Sequence, residues 1–382
     1  MRGKLKNNGS EKTRKSIGAV STRIIGLQQL NQSTTLPCIG LNQKSKHIVV
    51  ITPGFPADEQ DTACIPALHV FALALAQVPN INLTILALHY PKAKYNYKWN
   101  EIQVHTLGGS TKIMKPFLWR RAMRKFNVIN SEMPVDIIHS FWLSECSFIG
   151  NRLATRYKIG HVTTVMGQDA LPRNIYAKLL GLTKMRLVCV SEFQRGIFKI
   201  NYGIDADVIP WGIAAGRAKS DKTIDIIGVG SLTKLKNFSL FVDVIQKIRE
   251  TRKIGVAIVG SGPEEEILRR QIKRLGLEDT IKLKGRLSHE QTLEAISRAR
   301  ILLHTSRYES FGMIFPEALQ SETMVVSFKT GCYFPSANWK TAESVEDFAE
   351  KCIALLESGF APEKNPFTIE KTVKQYLELY DR

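Results

Sequence analysis

The chain has 382 residues, 44% of them hydrophobic and 23% charged, a globular composition with room for two α/β domains and a tail. No apolar run approaches the roughly 18 residues of a membrane span, and six scattered cysteines without a CxxC pair fit neither a zinc site nor a compact disulfide framework. The net charge is +18, of which residues 1–46 contribute +8 through nine Lys or Arg against Glu11 alone.

Residues 1–45 are rich in Lys, Asn, Ser and Gln, with one short apolar stretch at Ile24–Leu30, and read as a basic, poorly ordered tail. This N-terminus lacks a continuous apolar core and a small-residue cleavage site, so the expected location is the cytoplasm. From His47 the pattern changes. His47–Thr52 reads as a buried strand, Pro53–Pro56 as a turn, and Thr62–Ala76 as a helix. Strands follow at Asn82–Leu88, Ile102–Leu107, Val135–Phe141, His161–Val165 and Leu187–Val190, with a helix over Cys146–Tyr157. Between them Lys112, Lys115, Arg120, Arg121, Arg124 and Lys125 alternate with Phe117, Leu118, Trp119 and Phe126. On a helix these cations would flank an apolar face, suiting an anionic membrane surface or nucleic acid phosphates; a solvated helix with a core face is the plainer alternative.

A second series starts at the strand Ile224–Val229, followed by a helix at Phe238–Arg249 and a strand at Gly255–Val259. Gly260–Pro263 closes that strand before a helix at Glu264–Leu275. Then come Ile281–Gly285, a helix Gln291–Arg298, the strand Ile301–His304, a further helix and Met324–Phe328. Alternating strands and helices predict parallel sheets covered on both faces. The expected division is a tail (1–45), an N-terminal domain (46–213), a C-terminal domain (214–366) and a final helix (367–382) that packs back on the first domain.

In such sheets ligands bind beyond the carboxyl ends of strands. Thr305–Leu319 (TSRYESFGMIFPEAL) joins a buried strand to a helix. Amides after Gly312 offer an anion site, and Glu309 and Glu317, eight residues apart, suit sugar and ribose hydroxyls. Ser310, Phe311 and Gly312 are placed with them as substrate-binding residues. Gly230–Asn237 follows another strand, with Lys236 to neutralise a diphosphate and Ser231 to donate a hydrogen bond. The Gly260–Pro263 turn by itself is a weak dinucleotide signal.

The Glu-x7-Glu segment, the Gly-x6-Asn loop with Lys236 and the Gly260–Pro263 turn resemble the retaining glycosyltransferases of family 4, from His47 to Tyr380. The resemblance implies the GT-B fold, two facing Rossmann-like domains with a C-terminal helix crossing back, and metal-independent hexosyl transfer with retention. It implies a UDP-, GDP- or ADP-sugar donor, no cofactor, and an acceptor hydroxyl in polysaccharide or glycolipid biosynthesis. Glu309 takes the role that touches the transferred sugar, Glu317 the one that holds the ribose, and Lys236 grips the diphosphate. Ser231 stands where an Arg is expected, leaving Lys234 or Arg286 as substitutes. Gly54 matches the N-terminal glycine-rich loop, His139 a strand-end histidine with a catalytic role, and Gly167 and Asp169 a second strand end where Met166 replaces a histidine. Glu322 and Met324 replace a Gly and a Pro. A lone histidine beside a strand is otherwise a packed core residue. Two competing readings are a GT-B nucleotide-sugar epimerase and a non-catalytic basic protein that binds nucleic acid or anionic membrane; the transferase reading expects no nucleic acid partner and allows peripheral membrane contact.

Overall fold

A computed structural model describes residues 45–62, 64–109, 115–214, 216 and 220–382. The expectations for residues 1–44, including Ile24–Leu30 and Cys38, and the position of Lys112 lie outside the described residues.

The first sheet is built on β1 (Lys46–Gly54), β2 (Ile81–Tyr90), β3 (Asn96–Trp99), β4 (Ile102–Thr106), β5 (Ile137–Phe141), β6 (Gly160–Val165), β7 (Arg186–Cys189) and β8 (Asp207–Val208). Its order is β3-β4-β2-β1-β5-β6-β7-β8, and only the edge strand β3 pairs antiparallel. The helices are α1 (Pro66–Ala76), α2 (Lys115–Glu132), α3 (Glu145–Tyr157), the short α4 (Ile175–Leu179) and α5 (Glu192–Tyr202). Helix α1 starts at Pro66 rather than Thr62, because Ile65 takes a left-handed conformation and proline opens the first turn.

The second sheet comprises β9 (Ile224–Val229), β10 (Val256–Val259), β11 (Ile281–Leu283), β12 (Ala299–His304), β13 (Met324–Ser327) and β14 (Trp339–Thr341), in the order β11-β10-β9-β12-β13-β14. All its pairings are parallel. Helices α6 (Phe238–Arg249), α7 (Glu265–Arg274), α8 (His289–Ser297), α9 (Ile314–Gln320) and α10 (Val345–Ser358) cover it. Near-continuous apolar strands such as Ile301–Leu303 fit a sheet buried on both faces, and Phe241, Ile245, Ile301, Val326 and Phe348 share one core. Strand order reverses where β10 and β12 flank β9, so the loops after β9 and β12 face the same crevice.

The chain crosses between the sheets at Trp211–Ile213 and returns at Phe367–Ile369, where the two segments run side by side. Ile213 N donates to Phe367 O at 3.2 Å and Ile369 N to Ile213 O at 3.2 Å. The last helix, α11 (Ile369–Asp381), then packs on the first sheet: Tyr380 Oη lies 2.6 Å from His139 Nδ1, and Tyr376 Oη 2.9 Å from Thr164 Oγ1. Cys146, Cys189, Cys332 and Cys352 are buried free thiols, and Cys64 is half-buried and also free. Among the described residues no helix is long and apolar enough to cross a membrane.

Gly212 sits at the crossing. A Cβ there would meet Thr368 C at 2.1 Å, which forces the two crossing segments apart. Gly212→Ala is expected to cost about 1–3 kcal/mol and lower Tm by several degrees in a thermal melt; an unchanged Tm would contradict the close approach.

Candidate active site at the carboxyl edge of the second sheet

Two loops form the centre of the site. Residues 230–237 follow β9, and residues 305–313 follow β12. Buried hydroxyls join them: Thr305 Oγ1 donates to Lys236 O at 3.1 Å and Asn237 O at 2.9 Å, and Ser306 Oγ to Leu235 O at 3.1 Å. Lys236 N closes a turn on Thr233 O at 3.0 Å. The lysine backbone is thereby fixed beside the 305–313 loop, and its Nζ donates to Glu309 Oε1.

The same carboxylate oxygen lies 2.8 Å from His304 Nε2, while Glu309 N donates to Thr330 Oγ1 at 2.9 Å. Burial pushes the Glu309 carboxyl upward, but the His304 hydrogen bond and charge, joined by Lys236, outweigh it and bring its pKa down to about 2. Glu317 lies in the first turn of α9, with Oε1 3.6 Å from His289 Nε2. Both acids are largely buried, their side chains 13% and 12% exposed. Gly312 has φ +79°, and a Cβ there would meet the Phe315 ring at 2.5 Å, so the turn into α9 requires glycine.

The neighbouring loops complete a ring. A Cβ on Gly260 would lie 1.9 Å from Gly230 O and one on Gly262 2.4 Å from Leu232 O, so the Gly260–Pro263 turn packs backbone to backbone against the Lys236 loop. That contact accounts for its glycines. Gly260 N also donates to Gly285 O at 2.9 Å, which sets the exposed Arg286 next to the turn, three residues before His289. Ser231 is exposed at the head of its loop.

The 305–313 loop also meets the first sheet. Tyr308 Oη donates to Gly167 O and Ser310 Oγ to Met166 O, each at 2.8 Å, and Ser191 Oγ donates to Ser310 O at 2.5 Å. Gly167 and Ser310 therefore lie at the seam between the sheets, with the Ser310 hydroxyl engaged across it.

Four of the residues assigned to the site are held by other contacts within the fold. His139 is fully buried in β5, one ring nitrogen on Tyr380 and the other 2.8 Å from Thr164 Oγ1, and burial followed by the nearby His161 holds its pKa well below the ordinary histidine value. It is the packed core histidine, bracing α11 against the sheet. Asp169 accepts from Leu143 N, Met166 N and Gly167 N at 2.7, 3.2 and 2.6 Å; burial still raises its pKa above the usual carboxylate value. Both its oxygens accept backbone amides and shape the loop. The Phe311 ring is buried 5.4 Å from Phe367, and Phe311 O accepts from Cys332 N. Gly54 is buried at the end of β1, where a Cβ would approach Tyr90 Cβ at 3.2 Å and Cys64 Sγ at 3.3 Å. His304, His289 and Tyr308 were missed as site residues; a histidine closing the apolar strand that leads into the glutamate loop was the available signal.

Residues 213–366 match the family model of glycosyl transferases group 1. The chain is 24% identical over 212 residues to an uncharacterized glycosyltransferase of Methanocaldococcus jannaschii, covering 54% of this chain and 59% of that one. It is 26% identical over 209 residues to the gpi3 subunit of the phosphatidylinositol N-acetylglucosaminyltransferase of Schizosaccharomyces pombe, covering 51% and 46%. The chain thus spans about half the length of the curated relatives it matches. Among solved structures it superposes on a glycosyltransferase from Rickettsia africae with a TM-score of 0.66 at 17% identity, covering 88% of this chain and 98% of that one. The sucrose-phosphate synthase of Thermosynechococcus elongatus gives 0.64 at 14% identity with the same coverage. The fold is GT-B, two Rossmann-like domains with the group 1 match on the second.

The depressed Glu309 pKa carries a stability signature. Its stabilisation is present above the ordinary glutamate value of 4.5 and is lost as pH falls through the folded value near 2. Glu309→Gln is therefore expected to be less stable than the parent at neutral pH, on the order of 3 kcal/mol, with the gap closing from about pH 4.5 toward pH 2. Denaturant titrations across that range measure it, and a gap independent of pH would contradict the pairing.

Proposed function

We propose that the protein is a retaining glycosyltransferase of family 4 that moves a sugar from a UDP-, GDP- or ADP-sugar to an acceptor hydroxyl on a glycolipid or polysaccharide. The observation that carries this reading is the Lys236–Glu309 pair, held by Thr305 and Ser306 at the strand-order reversal of the second sheet. A transferase of this kind needs a cation where charge grows on the departing diphosphate, and a carboxylate for a sugar hydroxyl. Here one contact presents both. An arriving diphosphate competes for the Lys236 ammonium, and as it does so it releases Glu309 Oε1 toward the sugar. Arg286, exposed beside the Gly260 turn, takes the place of the cation missing at Ser231. Glu317, braced by His289, holds the ribose.

In the proposed reaction the bond from the anomeric carbon to the diphosphate oxygen breaks first. The acceptor oxygen then bonds to the same face of that carbon, and its proton passes to the departing phosphate. The protein's part is fixed positive potential and orientation. Glycolipid acceptors are supported by the names of several relatives, phosphatidylinositol N-acetylglucosaminyltransferases and a GDP-Man:Man(3)GlcNAc(2)-PP-Dol alpha-1,2-mannosyltransferase, while a mannosylfructose-phosphate synthase is also among the relatives.

Lys236→Ala is expected to lower kcat about a hundredfold, the loss of one preorganised charge-stabilising donor, about 3 kcal/mol, and to lower Tm because the buried Glu309 loses a cation, with the circular dichroism spectrum of the folded chain retained below the melt. Sugar transfer to a glycolipid acceptor measures it; turnover equal to the parent's would remove Lys236 from the chemistry. Product formed from the nucleotide-sugar alone, without acceptor, would favour the epimerase reading instead.

A further inference from the structure

We propose that the exposed faces of α2 and α4 form one docking surface for an anionic lipid bilayer. Helix α2 buries Leu118, Ala122, Phe126 and Ile129. Its outward stripe, spaced three and four residues apart, is Phe117, Arg120, Arg124 and Val128, with Phe117 55% and Val128 47% exposed. Helix α4 buries Ala177 and turns Ile175, Lys178 and Leu179 to solvent, the two aliphatic side chains 61% and 62% exposed.

The two helices are joined at their ends. Lys115 Nζ donates to Tyr176 Oη at 2.9 Å, and Trp119, Phe148 and Tyr176 form a chain of ring contacts at 4.6 and 6.3 Å. Three cations of the cluster are engaged: Lys115 with Tyr176, Arg121 with Gly109 O, and Lys125 with Asn96 Oδ1. Arg120, Arg124 and Lys178 are exposed, and none is in an ion pair among the described residues. The sequence places no acid between residues 115 and 131, nor between 170 and 191.

An ordinary solvated surface mixes both signs of charge and exposes few large aliphatic side chains. Cations of one sign beside Phe117, Ile175 and Leu179 instead match a bilayer interface, where headgroups take the charge and acyl chains the apolar side chains. A polynucleotide would use the cations but gain nothing from Ile175 or Leu179.

The surface also borders the cleft. Helix α4 follows directly on the loop whose Met166 and Gly167 carbonyls receive Ser310 and Tyr308. Asn174 Nδ2 ties its start to Leu143 O at 2.7 Å and Asp169 O at 3.0 Å. That a lipid-borne acceptor would thus enter the cleft from the bilayer rests on the transferase reading; the bilayer contact itself does not.

The full chain is sedimented with vesicles of phosphatidylcholine, with and without phosphatidylglycerol, over a range of salt. The expected result is partitioning onto the phosphatidylglycerol vesicles that weakens with salt. In Arg120→Ala/Arg124→Ala the partition coefficient is expected to fall about twenty-fivefold, roughly fivefold per cation, and in Ile175→Ser/Leu179→Ser about tenfold. Lys178→Glu serves as a further single-site variant. Transfer to a water-soluble acceptor, unchanged in these variants, reports on the transferase reading separately. The surface is overturned if the parent ignores anionic vesicles, if the variants bind as the parent does because the basic tail carries the contact, or if the chain binds polynucleotide and not vesicles.

Discussion

The site depends on two buried hydroxyls. Thr305 and Ser306 leave the end of β12 and bond to the backbone carbonyls of residues 235–237, so two loops from neighbouring strands behave as one unit. Buried hydrogen bonds of this kind contribute about 1 kcal/mol each, yet their larger effect is geometric. They hold the Lys236 backbone beside the loop that carries Glu309, so that ammonium and carboxylate meet. The Gly260–Pro263 turn supports the unit from the other side, close enough that no side chain fits between. Charge, burial and position then follow, including the Glu309 pKa held near 2.

The two halves of the molecule are joined in two chemically different ways. At the crossing, Trp211, Tyr376 and Tyr380 are buried and the backbone segments are hydrogen-bonded, so this contact is apolar and close-packed. At the site, the halves meet chiefly through the Tyr308, Ser310 and Ser191 hydroxyls and opposing carbonyls, with one ring contact between Phe193 and Tyr308 at 5.9 Å. Such polar contacts exchange for water at little net cost. The arrangement anchors the halves at one end and leaves the ligand end joined by replaceable bonds. His139 belongs to the anchor, both its ring nitrogens taken by Tyr380 and Thr164.

Much of this organisation was legible in the sequence, because buried parallel strands are read from apolar runs and helix ends from capping residues. The strand Ile224–Val229 and the helix Phe238–Arg249 have the bounds their patterns indicated. The 305–319 stretch was legible as a loop and helix carrying two acids, following a buried strand that ends at His304. Other features were not. Helix α10 was missed although Ser344 caps Asp347 N and Glu346 lies in the first turn. Strand β3 has four residues and an edge position, too short for alternation to register. The burial of His139, Asp169 and Phe311 was illegible for a different reason. For His139 and Phe311 it is set by partners far along the chain, Tyr380 and Phe367, of which local pattern carries no record; Asp169 turns back on Met166 N and Gly167 N in its own loop and on Leu143 N.

The central claim is that the Lys236–Glu309 contact is exchanged for contacts to the donor. A crystal structure with a nucleoside diphosphate bound tests it most directly. The account predicts Lys236 Nζ on a phosphate oxygen, with Glu309 Oε1 left to His304 alone. A diphosphate seated elsewhere, with the lysine still on the glutamate, would contradict it.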